Sequence, residues 1–317
     1  MVNMTNRTTM YSILAAILLV TACKKDDNTP APISNPSQPI VNPLRQVFAQ
    51  NVTNATQQFT VNASSGGFVT GTDGVSASFA PNAFRMQNGS TVTGDVQITL
   101  VEALEVGDML WLNKQTLGND NGQMRPLVSG GQFFLNATQS GQQLRLAPGA
   151  TFVNVPTTSF DDPNMAVFSG TVDGDGIATW DPWDNNPLQN VGDSTGYNFP
   201  NDSLGWVNCD YFMGGSPLTG VQVTCPVGHT NDNTFVWIVF TAQNSMTGIS
   251  VGSTNVFSTG SYYQLPVGMN VQVVALSKIN DVYSSSFTSA VVTQGMNLSI
   301  TLQPTSLLQF QLDAQAL

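Results

Sequence analysis

Histidine occurs once in this chain and glutamate twice, and lysine and arginine together number nine against 20 acidic residues. So small a basic complement leaves no electrostatic footprint for nucleic acid, whose binding depends on neutralising phosphates with Lys and Arg. Charged residues make up only 9% of the chain, so its solubility rests on the amides and hydroxyls of Asn, Gln, Ser and Thr. Nearly all of the acid is aspartate, which favours turns where glutamate favours helices, and the balance predicts β-structure with many loops. A crossing helix needs roughly 18 to 20 apolar residues, and the apolar run near the start, Tyr11 to Val20, falls short of that.

What is there begins with the layout of a secretion signal: a short polar segment carrying Arg7, the apolar run with Ile13, Leu14, Ile17, Leu18 and Leu19, then Val20-Thr21-Ala22-Cys23. Small residues before a cysteine suit a peptidase that needs a narrow side chain beside the scissile bond, and the pattern resembles the lipobox of bacterial lipoproteins. The resemblance implies cleavage after residue 22 and acylation of Cys23, with palmitate or a similar chain anchoring the protein to the membrane at about 0.8 kcal/mol per buried methylene. Lys24-Lys25-Asp26-Asp27 follows. It resembles the surface-export signal beside the lipidated cysteine of Bacteroidota lipoproteins, and it also fits a solvated charge run that holds the tether off the membrane. The expected address is the outer membrane, exposed at the cell surface.

From Asn28 to about Gln50 the chain is rich in Pro, Asn and Ser, which predicts an extended spacer. Strand signals follow: Phe59 to Val61, Gly67 to Thr70, Val75 to Phe79, and Thr91 to Leu100, where Val92, Val96, Ile98 and Leu100 share a parity. Gly66-Gly67, Asp73-Gly74 and Asn88-Gly89 mark turns between them. Gly71, Gly74, Val75, Phe79, Pro81-Asn82-Ala83-Phe84, Gly89 and Val92-Thr93-Gly94-Asp95-Val96 resemble a ZU5-type β-domain, and the likeness runs on through Asp108-Met109-Leu110 and Leu127 to Phe134, as in Bacteroidota surface lipoproteins. It covers roughly residues 57 to 155 and implies an interaction module. Some ZU5 domains cleave themselves at His-Phe-Ser or His-Phe-Pro; here the single histidine, His229, precedes Thr230 and lies outside the likeness, so that activity is not carried over.

Further on, Met165 to Ser169 and Ile177 to Trp180 flank Asp173-Gly-Asp-Gly176 as two strands and a turn, and residues 184 to 204 read as a loop or linker. After Gly205-Trp206-Val207-Asn208-Cys209-Asp210 come short strand signals at regular spacing, among them Phe235 to Phe240 and Asn270 to Leu276, which predict an immunoglobulin-like sandwich. The expected fold is all-β: a signal peptide (1–22), a lipid anchor and tether (23–56), a ZU5-like β-domain with following strands and loop (57–204), and an immunoglobulin-like β-sandwich (205–317).

The chemistry-bearing candidates are few. Cys209 and Cys225 fit either a disulfide, worth about 3 kcal/mol for a loop of this length, or two buried free thiols. His229, in Pro226-Val-Gly-His-Thr-Asn, is the one candidate base for a Ser-His-Asp hydrolase, and its neighbours read as a loop. Glu102 and Glu105 offer a carboxyl pair but read as a strand end entering a solvated turn. Asp173 and Asp175, with Asp161, Asp162, Asp181 and Asp184 nearby, offer oxygen ligands for calcium, while Asp-Gly is common turn chemistry. Trp180 and Trp183, with Trp111, fit either an aromatic platform for sugars or core filling. No cofactor or metal is implied. The expected function is non-enzymatic: adhesion, envelope structure or partner binding, with glycan capture through exposed tryptophans as the alternative.

Overall fold

In Asp95–Ala103 the side chains of Val96, Ile98 and Leu100 are buried while Asp95 and Gln97 are exposed, as a strand covered on one face requires. The computed structural model describes residues 42–157, 164–174, 176–188 and 196–317. Cys23, Lys24, Lys25, Asp26, Asp27 and Asp175 lie outside the described residues. Among the described residues the architecture is all-β and sandwich-like, with three short α-helices.

The first sheet runs in the order Gln57–Asn62, Asp95–Ala103, Gln123–Gln139, Gly205–Phe212, Ala166–Val172, Ala178–Pro187 and Leu117–Asp120. Leu117–Asp120 also pairs back onto Gln123–Gln139, so part of the sheet closes on itself. Over it lies a four-stranded sheet in the order Gly196–Pro200, Thr151–Pro156, Ser76–Phe79 and Gly67–Thr70. Ile98, Phe133 and Leu135 from the first sheet meet Phe79, Val155, Tyr197 and Phe199 from the second in one core.

Three expectations change here. The boundary expected between 204 and 205 does not separate the sheets, because Gly205–Phe212 pairs on both sides within the first one; its buried Trp206, Val207 and Cys209 are satisfied only in the middle of that sheet. The linker expected over 184–204 contains the strand Gly196–Pro200, whose alternating Tyr197 and Phe199 are buried. The tether expected to reach residue 56 gives way to helix α1 (Pro43–Asn54), capped by the Asn42 side chain, which accepts from Leu44 N at 2.9 Å, with Pro43 at its first position.

The C-terminal lobe is an eight-stranded sheet in the order Asn297–Ser299, Gln222–Thr224, Val256–Ser258, Ser245–Ser253, Thr234–Phe240, Asn270–Ile279, Val282–Val291 and Gln303–Thr305. Val223 and Phe257 from one end pack with Ile238 and Val273 from the middle, giving it a core of its own. A third core belongs to both lobes. Val101, Trp180 and Trp206 from the first sheet meet Trp237, Met246 and Leu276 from the C-terminal one, together with α1, α2 (Val106–Leu112) and α3 (Leu307–Gln315). The described residues therefore form one compact unit.

Candidate functional site

The cleft beside this shared core is built from four separate stretches of chain. It has a volume of about 350 Å³ and is lined by Asn51 and Asn54 of α1, Gln57, the turn residues Thr72 and Asp73, Glu102, Asp108 and Trp111 of α2, and Gln311 and Gln315 of α3. The lining is carboxylates, primary amides, a hydroxyl and an indole, with Ala55 and Leu112 beside them. It holds no imidazole and no thiol.

Glu102 is 4% exposed, not in a solvated turn as its neighbourhood in sequence predicted. Its carboxylate accepts from Gln57 Nε2 at 2.8 Å, Asp73 N at 3.0 Å and Val75 N at 2.7 Å. Gln57 Oε1 in turn accepts from the backbone N and the hydroxyl of Thr72. Two side chains thus satisfy the backbone of the 71–75 turn, which carries its own Gly71 N to Val75 O bond at 2.8 Å. Gly71 is required by this arrangement: a Cβ there would lie 2.2 Å from Glu102 Oε2.

Asp108, in the first turn of α2, accepts from Glu105 N at 3.4 Å. Burial, reinforced by the neighbouring charges of Asp73, Glu105 and Glu102 against that hydrogen bond, pushes its carboxyl up to about 6. Asp73 is raised as well, by burial and then by Glu102. The cleft therefore presents acceptors for hydroxyl or amine donors, and it takes up a proton near pH 6.

The two cysteines are free, buried thiols, which is the second of their two expected states. They belong to different cores, Cys209 to the first and Cys225 to the C-terminal one. Burial raises both thiols, Cys225 to about 12, away from the reactive thiolate. The tryptophan platform is not formed. Trp180 is 0% exposed and donates through Nε1 to Gln115 O at 2.6 Å, and Trp183 is half-buried against the first core. Strand alternation turns Trp180 inward, so Trp180 and Trp183 do not present a shared ring face to a sugar.

Asp173 is held as a turn: its N donates to Ile177 O, Gly176 N donates to its O, and its carboxylate accepts from Ile177 N at 2.9 Å. Among the described residues no group of three or more His, Cys, Asp or Glu side chains is placed to hold a metal ion. His229 sits in its loop with Nδ1 3.1 Å from Pro226 O. Gly248-Ile249-Ser250-Val251-Gly252 matches the Gly-x-Ser-x-Gly spacing of hydrolase nucleophiles. It runs within the paired strand Ser245–Ser253, not in the strand-to-helix turn that exposes such a serine.

Two buried ionisable groups escaped the sequence. Lys114 is 5% exposed, donates to Gly176 O at 2.6 Å and lies 5.4 Å from the Trp206 ring centre. Burial lowers its ammonium to about 8, partly offset by Asp173. Asp210 is fully buried at the register shift between Asn208 and Asp210, accepts from Asn208 Nδ2 at 2.5 Å, and is raised well above the carboxylate range by burial. Neither lines the cleft. No family model and no curated protein matches the chain.

Proposed function

We propose that this chain is a lipoprotein of the bacterial outer membrane, anchored by an acylated Cys23, displayed at the cell surface, and acting as a non-enzymatic adhesion, structural or partner-binding module. The observation that carries the non-enzymatic part is the state of Glu102. The most enclosed carboxylate of the cleft accepts three hydrogen bonds from its own protein, two of them from turn backbone, so its work is to hold a loop. The address rests on Val20-Thr21-Ala22-Cys23 with Lys24-Lys25-Asp26-Asp27 behind it. The likeness of residues 57–155 to ZU5-type interaction modules supports the same function.

Metabolic labelling of cells with a clickable palmitate analogue tests the anchor. The wild-type chain is expected to take up label, Cys23→Ser to take up none, and protease added to intact cells to degrade the wild-type protein. Mature protein that keeps Met1 and carries no acyl group would overturn the proposal.

A further inference from the structure

Large apolar side chains that stand singly on a surface need no explanation, but Phe68 and Phe152 share a face. They are 65% and 52% exposed. In the four-stranded sheet Phe68 pairs with Ser78, Ser78 with Phe152, and Phe152 with Pro200, so the two rings occupy one row across the strands. Their neighbours Val69, Ala77, Phe79 and Val153 fill the core beneath. Strand alternation therefore commits both phenylalanines to solvent. Two strand spacings, about 10 Å, separate their backbones. Between them stands only Ser78, a side chain smaller than either ring, whose hydroxyl donates to Phe152 O at 3.4 Å.

The next outward row, about 7 Å along the strands, is Thr70, Ser76, Asn154 and Asn198. Asn154 Nδ2 donates to Asn198 Oδ1 at 2.9 Å, which leaves Asn154 Oδ1 as an acceptor and Asn198 Nδ2 as a donor. None of the eight side chains in the two rows ionises, in a chain of net charge −11.

We infer that this face binds a neutral, unbranched glycan, with two sugar rings stacked on Phe68 and Phe152 and their hydroxyls met by Thr70, Ser76, Asn154 and Asn198. Charge complementarity selects the occupant. The chain's net charge of −11 repels polyanions, and the two rows offer no lysine or arginine to an anion or a lipid surface. A row of rings one residue deep beside a row of amides and hydroxyls fits a ligand with apolar faces and polar edges, and the two strand spacings between the phenylalanine backbones are close to the length of a disaccharide unit. The inference deepens the surface-binding proposal and rests on it for placing this face where a glycan is met.

The test is affinity electrophoresis of the full chain in mild detergent, through native gels containing hydroxyethylcellulose, linear xylan, linear mannan or heparin. At least one neutral polymer is expected to retard the wild type, and heparin to leave it unretarded. Phe68→Ala and Phe152→Ala should each weaken retardation roughly 3- to 10-fold, and Phe152→Trp should preserve it. Val282→Ala, exposed in the other lobe, should change nothing. Unchanged circular dichroism of the alanine variants rules out misfolding. Three results overturn the inference: no neutral polymer retards the wild type; the double alanine variant is retarded equally; or the two rings instead drive binding to phosphatidylcholine vesicles or self-association. Palmitate labelling is independent of these gels, so loss of the platform and loss of the address are told apart.

Discussion

At the scale of the residue, Asp108 is one of the carboxyls, with Asp73 and Asp210, through which the chain's acidity acts on stability. Its carboxyl is raised from an ordinary 3.8 to about 6 by burial and by like charges, so the folded protein keeps a proton that the unfolded chain has released. The stability it contributes is complete below about pH 4 and lost as pH rises through 6. Partial contact with solvent limits the effect to on the order of 1 to 2 kcal/mol. Asp108→Asn is expected to make the fall between pH 4 and 7 shallower, leaving the part carried by Asp73 and Asp210, and to stabilise the protein at pH 7, as read from urea midpoints at pH 4, 5, 6 and 7. A variant profile with an unchanged slope would show that Asp108 contributes nothing to the fall. Glu102 illustrates what the sequence hid: its partners Gln57, Asp73 and Val75 lie 27 to 45 positions away, and no local pattern announces an acceptor for a distant turn.

Among the elements, the strands of the first half were the most legible. Signals at Gly67 to Thr70 and Val75 to Phe79 correspond to Gly67–Thr70 and Ser76–Phe79, and Gly66, Gly74 and Gly89 take the positive φ values that turns ask of glycine. Helix α1 was written in Asn42-Pro43 and the spacing of Leu44, Phe48 and Asn51, yet proline-rich surroundings masked it. Helix α2 depends on a contact no periodicity reports. A Cβ on Gly107 would lie 2.7 Å from Ala314 O and 2.9 Å from Gln315 Cα, so α3 approaches α2 only because residue 107 has no side chain. Gly107→Ala carries opposed effects: about 1 kcal/mol gained in helix propensity and about 1 to 3 kcal/mol lost to overpacking. We expect a net fall in melting temperature with faster deuterium exchange in α3. A rise would mean that α3 shifts without penalty.

For the molecule as a whole, the shared core decides whether there are two folding units or one. Trp237 is 1% exposed, lies 5.7 Å from Phe235 in a stacked pair and 5.8 Å from Phe48 of α1 edge-on, and donates to Asn113 Oδ1 at 3.0 Å. Beside it Thr116 Oγ1 accepts from Met246 N at 2.9 Å, and Gln115 Oε1 accepts from Gly248 N at 3.0 Å. These bonds tie the segment after α2 to the C-terminal sheet. Trp237→Ala should lower stability by about 3 to 5 kcal/mol and speed exchange both in Asn270–Ile279 and in Asp95–Ala103. Independent domains would give the first change without the second.

By itself, the sequence determined the all-β class, the turn positions and the scarcity of catalytic side chains, because these depend on composition, on period-two alternation and on short contiguous motifs. Tertiary structure alone decided that Gly205–Phe212 joins the first sheet, that Trp180 points inward, that Glu102 serves a turn, and that Phe68 and Phe152 stand in one row. Each of those depends on which strands pair and in what register, and pairing is set by packing between residues far apart in the chain.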